Sequence, residues 1–199
     1  MLRLLPTPAD LRRAADVIAC GGVVIFPTET FYGLAADPRQ PAAVARVIAL
    51  KGRPDGAPIL LILPDLAAVD AVADPVPEAA RRLMARFWPG PLTLVLPARP
   101  GLAAPVPGPR GVGIRVSSHP VAAALARTCG HAITATSANR TGAPPCPDPE
   151  SAAAALPGAD ALLDGGPTAG GPPSTVAAVE PDGRILVLRA GACDVLGTP

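Results

Sequence analysis

The sequence predicts an α/β domain built on a mixed β-sheet. Three observations carry this. Early in the chain, apolar runs of strand length alternate with helical patterns. Near the end a hairpin-like pair of strands flanks Pro181-Asp182-Gly183, a turn sequence. Across the 199 residues no repeat or linker divides the chain, so residues 1–199 are read as one domain.

The elements follow in order. Thr7 is an N-cap candidate, with Pro8 at the first helical position and Asp10 in the first turn. Leu11, Ala14, Ala15 and Ile18 then recur at helical spacing, and Gly21-Gly22 stops the helix. Val23-Val24-Ile25-Phe26 is a β-branched, apolar run of buried-strand type that Pro27 ends. Thr28, Glu29 and Thr30 follow, then an aromatic pair and Gly33. Residues 41–50 form a helix with a buried stripe at Val44, Val47 and Ile48.

Residues 58–63 (PILLIL) read as a second buried strand, and 65–73 and 78–87 as helices. Trp88-Pro89-Gly90-Pro91 is a turn before a strand at 92–96. Residues 97–110 hold five prolines and two glycines, and are expected to form a loop serving as lid or rim. Residues 111–117 form a strand, 120–128 a helix, and 132–136 a strand that runs into Ser137-Ala138-Asn139. A short helix at 150–156 and strands at 161–164, 175–180 and 185–188 complete the chain.

Composition limits the function classes. Apolar residues make up 49% and charged residues 17%, with a net charge of +1. A core is therefore available, and wholesale coating of nucleic acid by a basic surface is disfavoured. A local cationic cavity stays allowed. Cys20, Cys129, Cys146 and Cys193 are far apart, with no CxxC or Cys/His cluster. This argues against zinc and for reduced thiols. No apolar run reaches membrane-spanning length, and MLRLLPTPADLRR lacks a secretory pattern. The expectation is a soluble, cytoplasmic protein without a membrane partner.

The strand at 23–26 empties into polar residues, which is where open α/β sheets place ligand sites. Lys51 and Arg53 bring two cations near Gly52. Side chains two apart on a helix do not share a face. The pair converges only if the helix ends at Gly52, as Pro54 favours; a solvated, dipole-matched helix end is the competing reading. Ser137 and Asn139 offer a hydroxyl, an amide and backbone N–H groups suited to phosphate, or form an ordinary polar turn. Arg115 and Arg189 lie among apolar neighbours. A buried Arg needs a partner, here a structural carboxylate or a ligand phosphate. Gly165-Gly166 and Gly170-Gly171 frame a loop before Ser174-Thr175, but no GxxxxGK[ST] or GxGxxG occurs. His119 and His131 show no triad pattern and read as structural or exposed.

PTETFYGLAAD, KGRP, WPGPLTLVL, GVGIRV, TSANRTG, DGG and STVAAV occur in this order. The ordered set resembles the YrdC family of L-threonylcarbamoyladenylate synthases, from about residue 7 to 189. The resemblance implies a YrdC-like α/β fold, a twisted mixed sheet with helices around a basic central cavity. It implies synthesis of threonylcarbamoyl-AMP and pyrophosphate from L-threonine, bicarbonate and ATP, with Mg²⁺ bound through ATP and no metal site on the protein. A threonylcarbamoyl transferase complex would then modify the tRNA adenosine next to the anticodon, with direct tRNA contact an open possibility.

The family's KxR and SxN signatures fall on Lys51, Arg53, Ser137 and Asn139, the implied catalytic set. ATP contacts are implied for Arg53, Thr93, Ser137 and Arg189, and threonine contacts for Thr30, the Ala135 backbone and Ser174. Thr28, Tyr32 and Arg115 are further cavity candidates. The chain departs from the family at Ala35 (often Gly), Ile62 (often His near the threonine), Pro97 (often basic) and Pro145 (often an ATP-contacting Ser). These departures leave a different amino-acid preference open. The extra C-terminal domain of longer members is not seen in this sequence. Two alternatives remain: a carbamoyl-adenylate-forming enzyme, and a non-catalytic RNA-binding module.

Overall fold

The computed structural model describes residues 1–54 and 56–197. Its strands form two mixed sheets rather than one. The five-stranded sheet runs β1 (Leu2–Leu4), β9 (Ala161–Leu163), β2 (Val24–Pro27), β3 (Tyr32–Ala35), β8 (Thr136–Ser137). The six-stranded sheet runs β11 (Ile185–Arg189), β10 (Thr175–Val179), β5 (Leu92–Leu96), β6 (Val112–Arg115), β4 (Leu61–Ile62), β7 (Ile133–Thr134). The helices are α1 (Pro8–Ala19), α2 (Pro41–Lys51), α3 (Val69–Val72), α4 (Glu78–Phe87), α5 (Pro120–Cys129) and α6 (Pro149–Ala155).

The unbroken apolar run at β2 has a physical cause: both its faces are buried. Val23 and Ile25 enter one core with Leu34, Leu61, Leu94 and Ile114. Val24 and Phe26 enter a second core with Ile18 of α1 and Leu125 of α5. The period-two alternation of a strand sends neighbours to opposite cores. Predicted helix α1 begins as expected, with Thr7 Oγ1 accepting from the Asp10 amide at 3.2 Å.

Several elements differ from the sequence reading. β3 was not expected; Tyr32-Gly33-Leu34-Ala35 lacks β-branched residues, yet pairs antiparallel with β2 across the Thr28–Phe31 turn. β1 was not expected either, being three residues long at the first sheet's edge. Only Leu61 and Ile62 of residues 58–63 join a ladder. Residues 66–68 form a 3₁₀ turn before the four-residue α3, in place of one helix.

The most consequential difference lies at residues 132–136. The chain does not make one strand there, because it changes sheets at Ala135. β7 pairs with β4 in one sheet, and β8 pairs with β3 in the other. Thr134 clamps the junction. Its amide donates to Ala36 O at 3.0 Å, its Oγ1 accepts from the Ala36 amide at 2.8 Å, and the hydroxyl donates to Leu34 O at 3.1 Å. Thr134→Val keeps the shape but strips a buried N–H and C=O of their partner. We expect it to lower unfolding free energy by about 1–3 kcal/mol, read by urea denaturation.

The 97–110 loop is held against the body. Ala103 and Val106 are buried in the first core, and the Ala103 amide donates to Pro38 O at 2.7 Å. None of its residues lines the cavity described next, though Gly108 packs against Pro58, which does.

Candidate functional site

Strand ends and turns from both sheets open onto one cavity of about 500 Å³. Thr28 and Thr30 come from the β2–β3 turn, Ala135 from the sheet crossing and Ser137 from the end of β8. Arg115 closes β6, Ser174 precedes β10 and Arg189 closes β11. A register irregularity between Val176 and Ala177 sets Arg189 opposite Val176, at the cavity end of the strand pair. Tyr32 and Arg53 complete the predicted residues that line it.

α2 ends as the Lys51–Gly52 sequence suggested. Gly52 adopts φ 57°, and the Arg53 amide donates to Ile48 O at 3.1 Å, a glycine-capped helix end. The chain then turns, so Lys51 and Arg53 do not share a cavity. Arg53 reaches in, donating to Pro58 O at 2.6 Å and Ala57 O at 3.3 Å. Lys51 is only 3% exposed and turns behind the wall. Its Nζ donates to Asn139 O at 2.8 Å and to Ser137 O.

Asn139 is also behind the wall. Its amide donates to Ala143 O at 2.6 Å and Arg140 O at 3.0 Å, which shapes the following loop. Thr93 is fully buried beneath the lining, with Oγ1 3.3 Å from Ser174 Oγ. Thus Lys51, Asn139 and Thr93 do not reach the lining; they support residues that do.

The open question about the two strand arginines separates into two answers. Arg115 is ion-paired with Glu29, whose other carboxylate oxygen accepts from Ser117 Oγ. Arg189 donates instead to Ser174, at 2.8 Å to O and 3.1 Å to Oγ. Among the described residues, no carboxylate pairs with Arg189 or Arg53. Burial lowers the affinity of both guanidiniums for their protons, but arginine stays charged at neutral pH. Among the described residues, two cations therefore face the cavity paired with neutral oxygens, an arrangement receptive to oxyanions.

Other shifts follow from burial. The Tyr32 phenol donates to Gly166 O at 2.7 Å, and burial pushes its pKa up to about 12. Burial, then the nearby Arg53, brings the Lys51 ammonium down to about 8. His119 caps α5 by accepting from the Val121 amide at 3.3 Å, a structural use.

Sequence reasoning missed Glu29 as Arg115's partner, since nothing in Thr28-Glu29-Thr30 marks a pairing 86 residues away. It also missed Phe31, Pro58, Leu60 and Thr136 in the lining. Of the noted departures, Pro145 lines the cavity. Ile62 does not; it is fully buried in the second core. Pro97 is absent from the lining too.

Strand ends, arginines and hydroxyls from two sheets turned onto one cavity place the chain among mixed α/β domains with a polar cavity at their strand ends. The comparisons narrow this class. The Sua5/YciO/YrdC family model, described as "Telomere recombination", matches residues 16–191, and the chain belongs to that family. It is 40% identical over 185 residues to the threonylcarbamoyl-AMP synthase of Bacillus subtilis (strain 168), covering 92% of this chain and 54% of that protein. It is 42% identical over 139 residues to the threonylcarbamoyl-AMP synthase of Nitrosococcus oceani, covering 68% of this chain and 74% of that protein. The crystal structure of P. abyssi Sua5 complexed with L-threonine superposes with a TM-score of 0.89 at 34% identity, covering 96% of this chain and 57% of that chain. The chain thus spans little over half the length of the Bacillus relative and of P. abyssi Sua5.

Proposed function

We propose that this chain is an L-threonylcarbamoyladenylate synthase. Its substrates are L-threonine, bicarbonate and ATP, and its products threonylcarbamoyl-AMP and pyrophosphate. The observation that carries the reading is the shared cavity. Arg53 and Arg189 face it without carboxylate partners among the described residues, beside the hydroxyls of Thr30, Ser137 and Ser174. Relatives named threonylcarbamoyl-AMP synthase and a Sua5 holding L-threonine support it.

The chemistry needs this arrangement. Threonine's amine condenses with bicarbonate, releasing water, to give a carbamate. A carbamate oxygen attacks the α-phosphorus of ATP, and pyrophosphate leaves. Carbamate and triphosphate are both anions, so they approach only where cations offset their repulsion. We assign ATP to Arg53, Ser137 and Arg189, with Thr93 bracing Ser174 from beneath. Thr30, Ala135 and Ser174 take threonine. The Ala135 amide is committed to Leu60 O at 2.7 Å, so its carbonyl is the backbone group it offers. No protein nucleophile is required for in-line displacement.

Among the described residues the lining holds no carboxylate. A Mg²⁺ would arrive on the triphosphate, and the hydroxyls of Thr30, Ser137 and Ser174 with water would complete its shell. Bound so, it would supply charge neutralisation on the leaving pyrophosphate.

The product is a reactive mixed anhydride, to be consumed by a transferase complex that modifies the tRNA adenosine beside the anticodon. We place this in the cytoplasm. No helix among the described residues is long and apolar enough to cross a membrane.

The test is pyrophosphate release from ATP by the purified protein. Release is expected only with threonine and bicarbonate both present. Release without threonine, or none, overturns the proposal. Carbamoyl phosphate as the better co-substrate would redirect it to carbamoyl-adenylate formation. Tight, salt-sensitive tRNA binding without turnover would redirect it to an RNA-binding module.

A further inference from the structure

Thr168 sits where three segments of the cavity rim meet. Thr30 and Phe31 come from the β2–β3 turn, Pro145 from the loop before α6, and Gly171 and Pro173 from the strap, residues 165–173, that leads into Ser174. The Thr168 hydroxyl lies 2.9 Å from Thr30 O and 2.9 Å from Pro147 O, so its single proton is shared between the first two segments. Each carbonyl has one further donor in the strap. The Gly170 amide donates to Thr30 O at 3.0 Å, and the Thr168 amide to Pro147 O at 2.7 Å. Among the described residues, every hydrogen bond between 167–172 and the rest of the chain starts at Thr168 or Gly170. Gly170 and Gly171 take φ of 66° and 87°, and a Cβ on either would meet nothing within 4 Å.

The strap is thus fixed at its ends and lightly held in its middle. At one end the Tyr32 phenol donates to Gly166 O at 2.7 Å; at the other the Ala192 amide donates to Pro173 O at 3.0 Å. We infer that Thr168 is a positioning residue that latches the strap onto the β2–β3 turn and so sets the gap between Thr30 and Ser174. These are the two hydroxyls assigned to threonine, and the inference rests on that reading for the identity of the ligand. An unlatched rim parts them, so threonine binds only the latched fraction, and its apparent affinity falls as that fraction falls. Threonine once bound holds both hydroxyls, so turnover at saturation does not depend on the latch. Arg53, Ser137 and Arg189, assigned to ATP, lie on other segments and keep their places.

The test compares Thr168→Val, which keeps the shape and removes the hydroxyl, with Thr168→Ser, which keeps the hydroxyl. L-Threonine and ATP are each titrated by calorimetry. Pyrophosphate release is timed with each substrate varied, and exchange of the Gly170 amide is followed by NMR. One hydrogen bond lost shifts the latch equilibrium about fivefold, which bounds the loss of affinity. With the free rim latched about half the time or less, Thr168→Val should bind threonine about three- to fivefold more weakly. Its KM for threonine should rise in step, while ATP affinity and kcat at saturating threonine stay within about twofold of the wild type. Thr168→Ser should restore threonine affinity. The Gly170 amide should exchange up to about fivefold faster in Thr168→Val, and threonine should slow its exchange in the wild type.

Unchanged threonine affinity in folded Thr168→Val overturns the inference. So does an equal loss in ATP affinity and kcat, the pattern of a residue that only supports the fold, or a Thr168→Ser no better than Thr168→Val. Should Thr168→Val not fold, exchange of the Gly170 amide in the wild type carries the test, and no slowing by threonine overturns the inference. A wild-type protein that binds threonine but releases no pyrophosphate defeats the synthase reading alone, and the titrations still decide the role of Thr168. Failure to bind threonine overturns both.

Discussion

Arg189→Ala is expected to cut pyrophosphate release about 100-fold or more while the protein stays folded. Arg189 closes β11 and is anchored on Ser174, at 2.8 Å to O and 3.1 Å to Oγ. The substitution therefore removes a cation and loosens a hydroxyl assigned to threonine. A charge-assisted hydrogen bond contributes about 1.5–3 kcal/mol, and two made to a developing oxyanion account for a loss of this size. Arg53→Ala should lose a similar amount, because Arg53 is the other lining arginine without a carboxylate partner among the described residues. Arg189→Lys separates charge from geometry. It keeps the positive charge but not the planar fork, so it should recover ATP binding better than turnover. The measurements are steady-state release with each substrate varied and a melting curve for each variant. If folded Arg189→Ala and Arg53→Ala both turn over normally, the assigned site is wrong, and the fold assignment is untouched.

Why could the sequence reveal these two arginines as candidates, but not how they are used? The local signals were those of covalent geometry and burial. Gly52 marked the end of α2, and the apolar neighbours of Arg115 and Arg189 marked them as needing partners. Those signals are carried within a few residues. The partners are not: Glu29 meets Arg115 across 86 residues, and Lys51 meets Asn139 across 88. The same distinction explains the strands. β5 matches its predicted span because Leu92, Thr93, Leu94, Val95 and Leu96 suit a strand wherever the chain places them. β3 escaped, since Tyr32-Gly33-Leu34-Ala35 is extended by its pairing with β2 and β8. The switch of sheets at Ala135 was invisible for a related reason. Residues 132–136 read as one strand locally, and only the pairings of β7 and β8 with Thr134's bonds to Leu34 and Ala36 show that two sheets meet there. The ordered motif set named the family from sequence. It carried Lys51 and Asn139 along with the lining residues, because a motif records which residues occur together, not which of them face the ligand.

Lys51→Met gives the sharpest test of that difference. The Nζ sits behind the cavity, bonded to Ser137 O and Asn139 O, in a side chain that is almost wholly buried. Methionine fills the space of the alkyl stem but leaves the buried Asn139 O without the ammonium, while Ser137 O keeps only the Asn139 amide at 2.9 Å. We expect unfolding free energy at pH 7 to fall by about 1–3 kcal/mol. The pH dependence follows from the depressed pKa. Burial first, then Arg53, brings the folded-state value from 10.5 down to about 8. Between these two values the unfolded chain binds more protons at this position than the folded one, so raising the pH favours the folded state. The wild type should thus gain on Lys51→Met as pH rises through this window, by at most about 1.4 kcal/mol per pH unit. A neutral amine still has two N–H groups for the two carbonyls, so deprotonation does not undo the brace. Urea denaturation of both proteins at pH 7 and pH 9.5 reads the gap. A gap that narrows at the higher pH would mean that Lys51 works through its charge. A gap that widens places its contribution to turnover in holding the Ser137 turn, and then kcat of the wild type should not fall with the titration of Lys51.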